Sequence, residues 1–185
     1  EEMETFIKVP VELVKPDFLK TEEELAENSG PELTDEDSYL LSEVLKKRIP
    51  KLLVKNKNMK FLEIGCGSGI QLQTALDSGI KKPWIFSCDV NPKAVRHCKK
   101  LGFNSIVSNL FQKIKGKYYI IIFNPPYLPL DSREPRNSRI ATTGGKKGSE
   151  IINEFLSQSK KHLAKNGRIF LVSSSLTKGI NFLDF

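Results

Sequence analysis

The sequence has few of the cysteines and histidines that form disulfide bonds in small secreted domains or bind structural metals. It has 3 cysteines, none at Cys-x-x-Cys spacing, and neither of its 2 histidines has a Cys, His or carboxylate partner at ligand spacing. We therefore expect reduced thiols, no disulfide framework and no metal site. No apolar run approaches the roughly 20 residues of a membrane-spanning helix, and the acidic start is unlike a signal peptide. These absences predict a cytoplasmic protein.

Negative charge is scarce outside the first 43 residues. Residues 1–43 hold 14 of the 22 Asp and Glu residues but 3 of the 29 Lys and Arg residues, whereas residues 44–185 hold the other 8 and 26, a net charge of +18. A basic body attracts nucleic acid or an acidic partner through its long-range field. Scattered lysines also form an ordinary solvated surface, so both interpretations stay open.

The composition fits one globular domain preceded by an arm. Hydrophobic residues make up 39% and charged residues 28% of the 185 residues, which is typical of a chain that can bury a core. Residues 1–34 contain three prolines and the acidic run Glu22–Glu24. They predict an acidic, irregular arm with one short helix, and the domain itself is expected over residues 35–185.

From residue 35 onward, helical and strand-like apolar patterns alternate. Pro50 is expected to end or kink the first helix. Helices are predicted over residues 35–49, 69–79, 91–102 and 149–167, and strands over residues 59–64, 84–89, 104–108, 118–123 and 168–174. This alternation favours an α/β fold with a mostly parallel sheet and helices on both faces. Ligands of such sheets bind beyond the carboxyl ends of the strands.

A glycine-rich turn, "LEIGCGSG" (62–69), follows the strand at 59–64. Gly65, Gly67 and Gly69 allow positive φ and close approach of the backbone to a ligand, and the following helix would present free N–H groups. The pattern excludes a P-loop, since it lacks Gly-x-x-x-x-Gly-Lys. Asp89 follows the next strand, where an acid accepts hydrogen bonds from ribose hydroxyls. Loop and acid together predict a nucleoside-containing cofactor, either NAD or S-adenosylmethionine.

Two side chains of this turn need an explanation of their own. Glu63 lies in an apolar strand, where its charge is costly unless another group pairs with it. Cys66 lies between two glycines, and we expect its small side chain to pack rather than to act as a nucleophile.

The stretch "IIFNPPY" (121–127) decides between the two cofactors. The Asn124 side-chain oxygen and the Pro125 carbonyl can accept both N–H groups of a planar amine or amide, and can hold its nitrogen toward a methyl donor. Pro125 and Pro126 bring no N–H donors of their own, and Tyr127 offers a face for packing. The stretch therefore indicates methyl transfer to a planar nitrogen, for which a nicotinamide enzyme has no use.

At these residues the sequence resembles the class I S-adenosylmethionine-dependent methyltransferases with their Rossmann-like fold. More narrowly it resembles the HemK-like glutamine methyltransferases that modify the Gly-Gly-Gln loop of translation termination factors, in their short archaeal and eukaryotic branch. The resemblance runs from about residue 36 to residue 177. It is carried by "EDSYLL" (36–41), "LEIGCGSG", "CDVNPKAV" (88–95), "FNPPYLP" (123–129) and "TGGKKGSEIINEFL" (143–156), of which the last is the most specific.

The resemblance implies S-adenosylmethionine as the cofactor and a set of site residues. The implied cofactor-binding residues are Glu63, Gly65, Cys66, Gly67, Gly69, Asp89, Val90, Asn109, Leu110 and Asn124. The implied catalytic residues are Asn124, Pro125 and Tyr127, and Pro126 joins them in binding the substrate amide. Asn109 stands where the family commonly has Asp, and its side-chain oxygen can still accept from the adenine amino group.

The resemblance also implies features that these residues do not carry. The family continues into a sixth and an antiparallel seventh strand, which would follow Phe185, so the chain is either cut short or reduced in its C-terminal half. In the eukaryotic branch, a small zinc-binding activator covers an apolar sheet edge. The loop over residues 128–145, with its three arginines, is expected to be a binding element beside the site.

Three functions remain in competition at this stage. The first is methylation of the glutamine amide in a peptide chain release factor. The second keeps the chemistry but changes the acceptor to an exocyclic amine of RNA or DNA, such as N6 of adenine, which the basic body favours. The third is a non-catalytic subunit that binds S-adenosylmethionine, suggested by Asn109 and by the early end of the chain.

Overall fold

The computed structural model describes residues 10–15, 32–126, 146, 148–174 and 177–182. The strands are β1 (Val11–Val14), β2 (Phe61–Ile64), β3 (Ile85–Asp89), β4 (Asn104–Val107), β5 (Tyr118–Phe123) and β6 (Leu163–Val172). The helices are α1 (Glu32–Lys55), α2 (Ile70–Asp77), α3 (Pro92–Lys100) and α4 (Glu150–Ser159), with short 3-10 turns at Lys82–Trp84 and Lys160–His162. No helix in the described ranges is both long and apolar enough to cross a membrane.

The six strands form one sheet in the spatial order β1-β6-β5-β2-β3-β4, and each pairing among them is parallel. The order reverses between β2 and β5, which are neighbours although β3 and β4 lie between them in the chain. Phe61 of β2 lies opposite Ile85 of β3 on one side and Ile120 of β5 on the other, and all three are fully buried. The carboxyl ends of β2 and β5 therefore flank the crevice in which open α/β sheets bind ligands.

Helices cover both faces of the sheet, as the alternating pattern predicts. Crossovers between parallel strands are right-handed, which places α1, α2 and α3 on one face and α4 on the other. Leu41, Leu45 and Ile49 form the fully buried stripe of α1. On the opposite face, the ring of Phe155 in α4 lies 4.7 Å from the ring of Phe123 at the end of β5.

Helix α1 is longer than the predicted helix over residues 35–49. It begins at Glu32 and continues through Pro50 to Lys55. Proline removes one backbone donor from a helix but does not forbid helical dihedral angles. Leu52 and Leu53, beyond the proline, pack against the core. Their burial offsets the lost hydrogen bond, so the helix does not end at Pro50, which was one of the two outcomes predicted for this proline.

The N-terminal arm over residues 1–34 is not wholly irregular, and the boundary placed before residue 35 is wrong in this respect. Val11–Val14 forms the edge strand β1, which pairs with β6 so that Val14 lies opposite Val172. The Ile169 N–H donates to the Pro10 carbonyl over 2.8 Å. Pro10 precedes an edge strand, where a missing N–H costs little. The arm therefore contributes a strand to the domain's own sheet.

Helix α4 is shorter than the predicted helix over residues 149–167. It ends at Ser159, and β6 begins at Leu163, which pairs with Tyr118 instead of lying inward on a helix. Asn166 adopts φ 60°, a left-handed conformation that a continuing helix does not tolerate. The β5–β6 register shifts beside this residue, between Tyr118 and Ile120.

Candidate active site

The predicted motifs meet at the carboxyl edge of the sheet, around the point where the strand order reverses. The glycine loop (residues 65–69) follows β2, Asp89 ends β3 and Asn124 follows β5. A Cβ atom added to Gly65 would lie 3.7 Å from the Phe123 ring, so the glycine loop and the end of β5 are in contact. The structure thus brings the cofactor motif and the catalytic motif into one crevice.

The glycine loop needs glycine for both its backbone and its packing. Gly65, Gly67 and Gly69 have φ values of 74°, 47° and 81°, which L side chains rarely adopt. Gly69 is also the N-cap of α2. A Cβ atom there would lie 3.2 Å from the Cys98 sulfur and 3.3 Å from a Leu101 methyl group. The close approach of α2 to α3 therefore depends on the missing side chain.

Most N–H groups of this loop are used within the protein. The predicted free donors belong to the following helix α2, whose N-cap Gly69 supplies no side-chain hydrogen bond, so that prediction is not contradicted. Four of the loop's N–H groups have partners: those of Gly65 and Cys66 donate to the Cys88 carbonyl, that of Gly69 to the Cys66 carbonyl, and that of Gly67 to Asp89 Oδ2. Peptide groups at a strand-to-helix turn close short hydrogen-bonded rings before a ligand reaches them. The loop therefore offers a cofactor a backbone surface for close packing, and few of its own N–H groups remain as donors.

Asp89 has the position and the contacts that ribose recognition requires. Its Oδ2 accepts from the Gly67 N–H over 3.0 Å, and its Oδ1 accepts from the Asn91 N–H over 2.8 Å. Each carboxylate oxygen can accept a second hydrogen bond, so two ribose hydroxyls can be added to this arrangement. Asn91 in turn caps α3, since its side chain accepts from the Lys93 N–H over 2.9 Å, with Pro92 at the first helical position as predicted.

Two of the predicted cofactor-binding residues that follow β3 and β4 are exposed. Val90 is 64% exposed and lies directly after Asp89, so an apolar ring can pack on it. Asn109 is also exposed, beyond the end of β4. Leu110, in contrast, is buried with φ 44° and shapes the turn through its carbonyl, which accepts from the Ser108 hydroxyl over 3.0 Å. Val90 and Asn109 thus have side chains exposed to a cofactor, and the predicted role of Leu110 stays a prediction.

The three cysteines are free thiols, one within the glycine loop and two on the elements that follow it. Cys66, Cys88 and Cys98 are all buried. Burial raises the pKa of the Cys66 thiol far above its usual range, and raises that of Cys88 to about 12. A thiol that stays protonated is a poor nucleophile, which agrees with the packing role expected for Cys66.

Glu63 does not find the pairing partner that its burial calls for. It is 4% exposed, and within the described part of the chain its Oε2 has no hydrogen-bond partner. Burial and, to a smaller extent, the charge of Asp89 raise the pKa of this carboxyl well above its ordinary value. The group is therefore a buried acid placed beneath a ligand-binding loop.

Asn124 is oriented by a residue from the first helix. It is half-buried, Pro125 beside it is buried, and its Nδ2 lies 3.5 Å from Ser38 Oγ. The nitrogen and oxygen of an amide point along different branches, so a contact of Nδ2 with Ser38 reserves Oδ1 for a substrate N–H group.

Ser38 is itself held by the helix that follows the glycine loop. Its carbonyl accepts from Gln71 Nε2 over 2.7 Å and from Ser42 Oγ over 2.9 Å. Gln71 is 2% exposed and lies at the start of α2. A chain of contacts therefore connects the cofactor loop to Asn124 through α1. Sequence reasoning assigned no role to Ser38 or Gln71, and the available signal was the pair of serines four residues apart on an otherwise apolar stripe.

Removing the Ser38 hydroxyl should slow the reaction without weakening cofactor binding. We expect Ser38→Ala to lower kcat about tenfold, because an unanchored Asn124 amide samples unproductive orientations. Ser38→Thr keeps the hydroxyl and should restore most of the rate. Calorimetric titration with the cofactor should give the same Kd for all three proteins. A Ser38→Ala enzyme with unchanged kcat would contradict this role.

The element before α4 is only partly described. Gly148 has φ 83° and Ser149 is buried, so the chain turns sharply into the helix. Asn153 of α4 fixes the segment after β6, since its Nδ2 donates to the Gly179 carbonyl over 2.9 Å and its Oδ1 accepts from the Asn181 N–H over 2.8 Å. Tyr127 and the loop over residues 128–145 lie outside the described residues, so their predicted roles stay predictions.

Sequence comparisons agree with the motifs. The profile of the methyltransferase small domain matches residues 31–184. The chain is 37% identical over 150 residues to a Methanocaldococcus jannaschii protein that bears the name protein N5-glutamine methyltransferase, and the match covers 77% of this chain and 71% of that one. It is 30% identical over 167 residues to the eRF1 methyltransferase catalytic subunit of Schizosaccharomyces pombe, covering 77% and 72% of the two chains.

Comparison with solved structures agrees with the fold. The plantazolicin methyltransferase BpumL, solved in complex with SAH, superposes with a TM-score of 0.52 at 18% sequence identity. The match covers 82% of this chain and 52% of that one, so the chain spans about half of the larger enzyme. At this identity the likeness concerns the arrangement of strands and helices.

Proposed function

Since this chain belongs to the methyltransferase small domain family, and within it to the HemK-like glutamine methyltransferases, we propose that it methylates the glutamine side chain in the Gly-Gly-Gln loop of a translation termination factor. The chain is an S-adenosylmethionine-dependent methyltransferase. The proposed acceptor is supported by its relatives, of which one is named for N5-glutamine and another for eRF1.

The residues at the carboxyl edge fit the cofactor. Asp89 can add two ribose hydroxyls to its present contacts, and the glycine loop leaves room for a close backbone approach. The buried Oε2 of Glu63, which has no partner among the described residues, suits a cofactor with cationic groups. When bound, S-adenosylmethionine supplies a methyl group carried by a sulfonium sulfur.

The observation that carries the proposed reaction is the position of Asn124 and Pro125 in the same crevice. An amide nitrogen is a weak nucleophile because its lone pair is delocalised. Two acceptors on its two N–H groups hold it in the orientation for attack, and stabilise the positive charge that develops on it. Asn124 Oδ1 and the Pro125 carbonyl supply these acceptors. The proton becomes acidic once the nitrogen carries the methyl group, and leaves to solvent.

A labelled-methyl assay tests the acceptor. We expect label on a termination factor with an intact Gly-Gly-Gln loop, and none when that glutamine is replaced by alanine. Parallel reactions contain transfer RNA, ribosomal RNA and DNA, because the +18 charge of residues 44–185 favours nucleic acid as the second candidate. Label on nucleic acid but not on the factor would overturn the glutamine proposal. Cofactor binding without label on any acceptor would favour the non-catalytic alternative.

We infer that a small zinc-binding activator is the partner and that it covers the outer edge of β4. Within the described residues, β4 pairs with β3 alone, and its Ile106 and Val107 are 40% and 39% exposed. The S. pombe relative is named a catalytic subunit, which implies a second subunit in that enzyme. The methyl-transfer assay therefore includes reactions with and without a purified activator. A cytoplasmic location is part of this proposal, supported by the three buried free thiols.

A further inference from the structure

Glu63 stands in the centre of the sheet, and no cation among the described residues pairs with it. It lies opposite Ser87 of β3 on one side and Ile122 of β5 on the other. The ion pairs found among the described residues join Lys46 to Glu43 and Arg48 to Glu12, both far from β2. The ionisable groups that act on Glu63, or on which it acts, are Asp89, Cys66, Cys88 and Cys98. Each of these is acidic and none can supply a positive charge.

The neutral form of Glu63 is therefore the stable one in the cofactor-free protein. An isolated carboxylate buried without a partner costs far more than a neutral carboxyl, and a buried acid responds by keeping its proton. The nearby Asp89 carboxylate adds repulsion against a second negative charge. Two backbone N–H groups donate to the Asp89 side chain, whereas no donor in the described ranges reaches Glu63 Oε2.

The geometry points to an exchange of charge: cofactor binding removes the proton from Glu63. S-adenosylmethionine carries an ammonium and a sulfonium against one carboxylate, so its binding at the glycine loop would bring a net positive charge toward the Glu63 carboxyl. The O–H bond of Glu63 breaks, its electron pair remains on the carboxylate, and the proton passes to the solvent buffer. This inference rests on the proposed cofactor site. It states that binding of the cofactor at that site releases one proton.

The direction of the pH dependence follows from this exchange. Between the ordinary value near 4.5 and the raised pKa of Glu63, the free protein holds a proton that the complex has lost. Cofactor affinity should therefore rise with pH by up to about tenfold per unit, and level off above the raised value. The folding stability of the cofactor-free protein depends on pH with the opposite sign. The contribution of Glu63 to stability is present below pH 4.5 and is lost as the pH rises toward the raised value.

Calorimetry in paired buffers measures the proton directly. S-adenosylmethionine is titrated into the full chain at several values from about pH 5 to about pH 8, in two buffers of different ionisation enthalpy at each. The difference in apparent enthalpy gives the number of protons released. We expect close to one for the unaltered chain within the window, and close to zero for Glu63→Gln. Glu154→Gln, which alters an exposed acid on α4, serves as the matched control and should release the same number as the unaltered chain.

The outcomes separate this inference from the proposed function. An enthalpy that does not depend on the buffer at any pH, or equal proton release by Glu63→Gln, would overturn the exchange while leaving the methyltransferase intact. A chain that binds no S-adenosylmethionine contradicts the cofactor site itself. Because the measurement on the unaltered chain stands alone, the inference stays testable if Glu63→Gln fails to fold. If it folds, its melting temperature without cofactor should exceed that of the unaltered chain at about pH 8.

Discussion

Replacing Asn124 by alanine should lower methyl transfer by about 10²- to 10³-fold while cofactor affinity stays within about twofold. The side chain holds one of the two acceptors that orient the substrate nitrogen, and removing one such preorganised group commonly costs two to three powers of ten. The resemblance implies a cofactor contact for Asn124, but its hydrogen bond among the described residues is with Ser38 and none is with the glycine loop or Asp89, so the cofactor subsite should stay intact. Single-turnover methylation of the termination factor and calorimetric titration with S-adenosylmethionine measure the two quantities separately.

Asn124→Asp is the matched variant for this prediction. Aspartate keeps an acceptor oxygen at nearly the same position, and Ser38 can donate to its second oxygen. It should retain more activity than alanine, although its charge disturbs the site. Thermal unfolding of both variants establishes that they fold. Full methylation activity in Asn124→Ala would contradict the two-acceptor mechanism, whichever molecule proves to be the methyl acceptor.

Replacing Asp89 by alanine should weaken S-adenosylmethionine binding by about 100-fold or more. Hydrogen bonds to a charged group contribute about 1.5–3 kcal/mol each, and two ribose hydroxyls lose their acceptor in this variant. The Gly67 N–H also loses its partner, which loosens the loop on which the cofactor lies. The Kd from calorimetry should rise accordingly, whereas kcat at saturating cofactor should fall by less than about tenfold, since Asn124 and Pro125 are untouched.

Two further variants define the contribution of Asp89. Asp89→Asn retains acceptor capacity in one atom but no charge, so its Kd should lie between those of the unaltered chain and Asp89→Ala. Asp77→Ala removes an exposed acid of α2 and should bind the cofactor as the unaltered chain does. An Asp89→Ala protein with unchanged Kd would exclude Asp89 from ribose recognition and place the nucleoside elsewhere along the carboxyl edge.

The sequence predicted the local structure correctly at positions where the backbone geometry restricts the residue type. Gly69 has φ 81°, which L side chains rarely adopt, Pro92 begins α3, and two prolines follow Asn124 without offering a donor. Each of these residues carries its own conformational preference, so each can be interpreted without knowledge of its neighbours in space. The same holds for the apolar strands β2 and β5, whose continuous hydrophobicity reflects burial on both faces.

The errors arose where distant segments decide the structure. Val11–Val14 contains the acidic Glu12 and lies between prolines, and it becomes a strand because β6 offers it an edge. The helix predicted over residues 149–167 ends at Ser159, since pairing with β5 outweighs helical preference in the segment from Leu163 onward. Local propensity is weak compared with such pairings.

The α/β fold and the glycine loop follow from the sequence, and the ribose acid and the acceptor pair are predicted from it, because glycine, proline and unbranched polar residues encode local backbone geometry and hydrogen-bonding capacity. The folded structure was needed to show that Ser38 contacts Asn124, that the Gly67 N–H donates to Asp89, and that Glu63 Oε2 has no partner among the described residues. These properties depend on which groups meet across more than 20 residues of chain. Contacts between such distant residues cannot be predicted from the residue types alone. They form when the folded sheet brings the ends of its strands together.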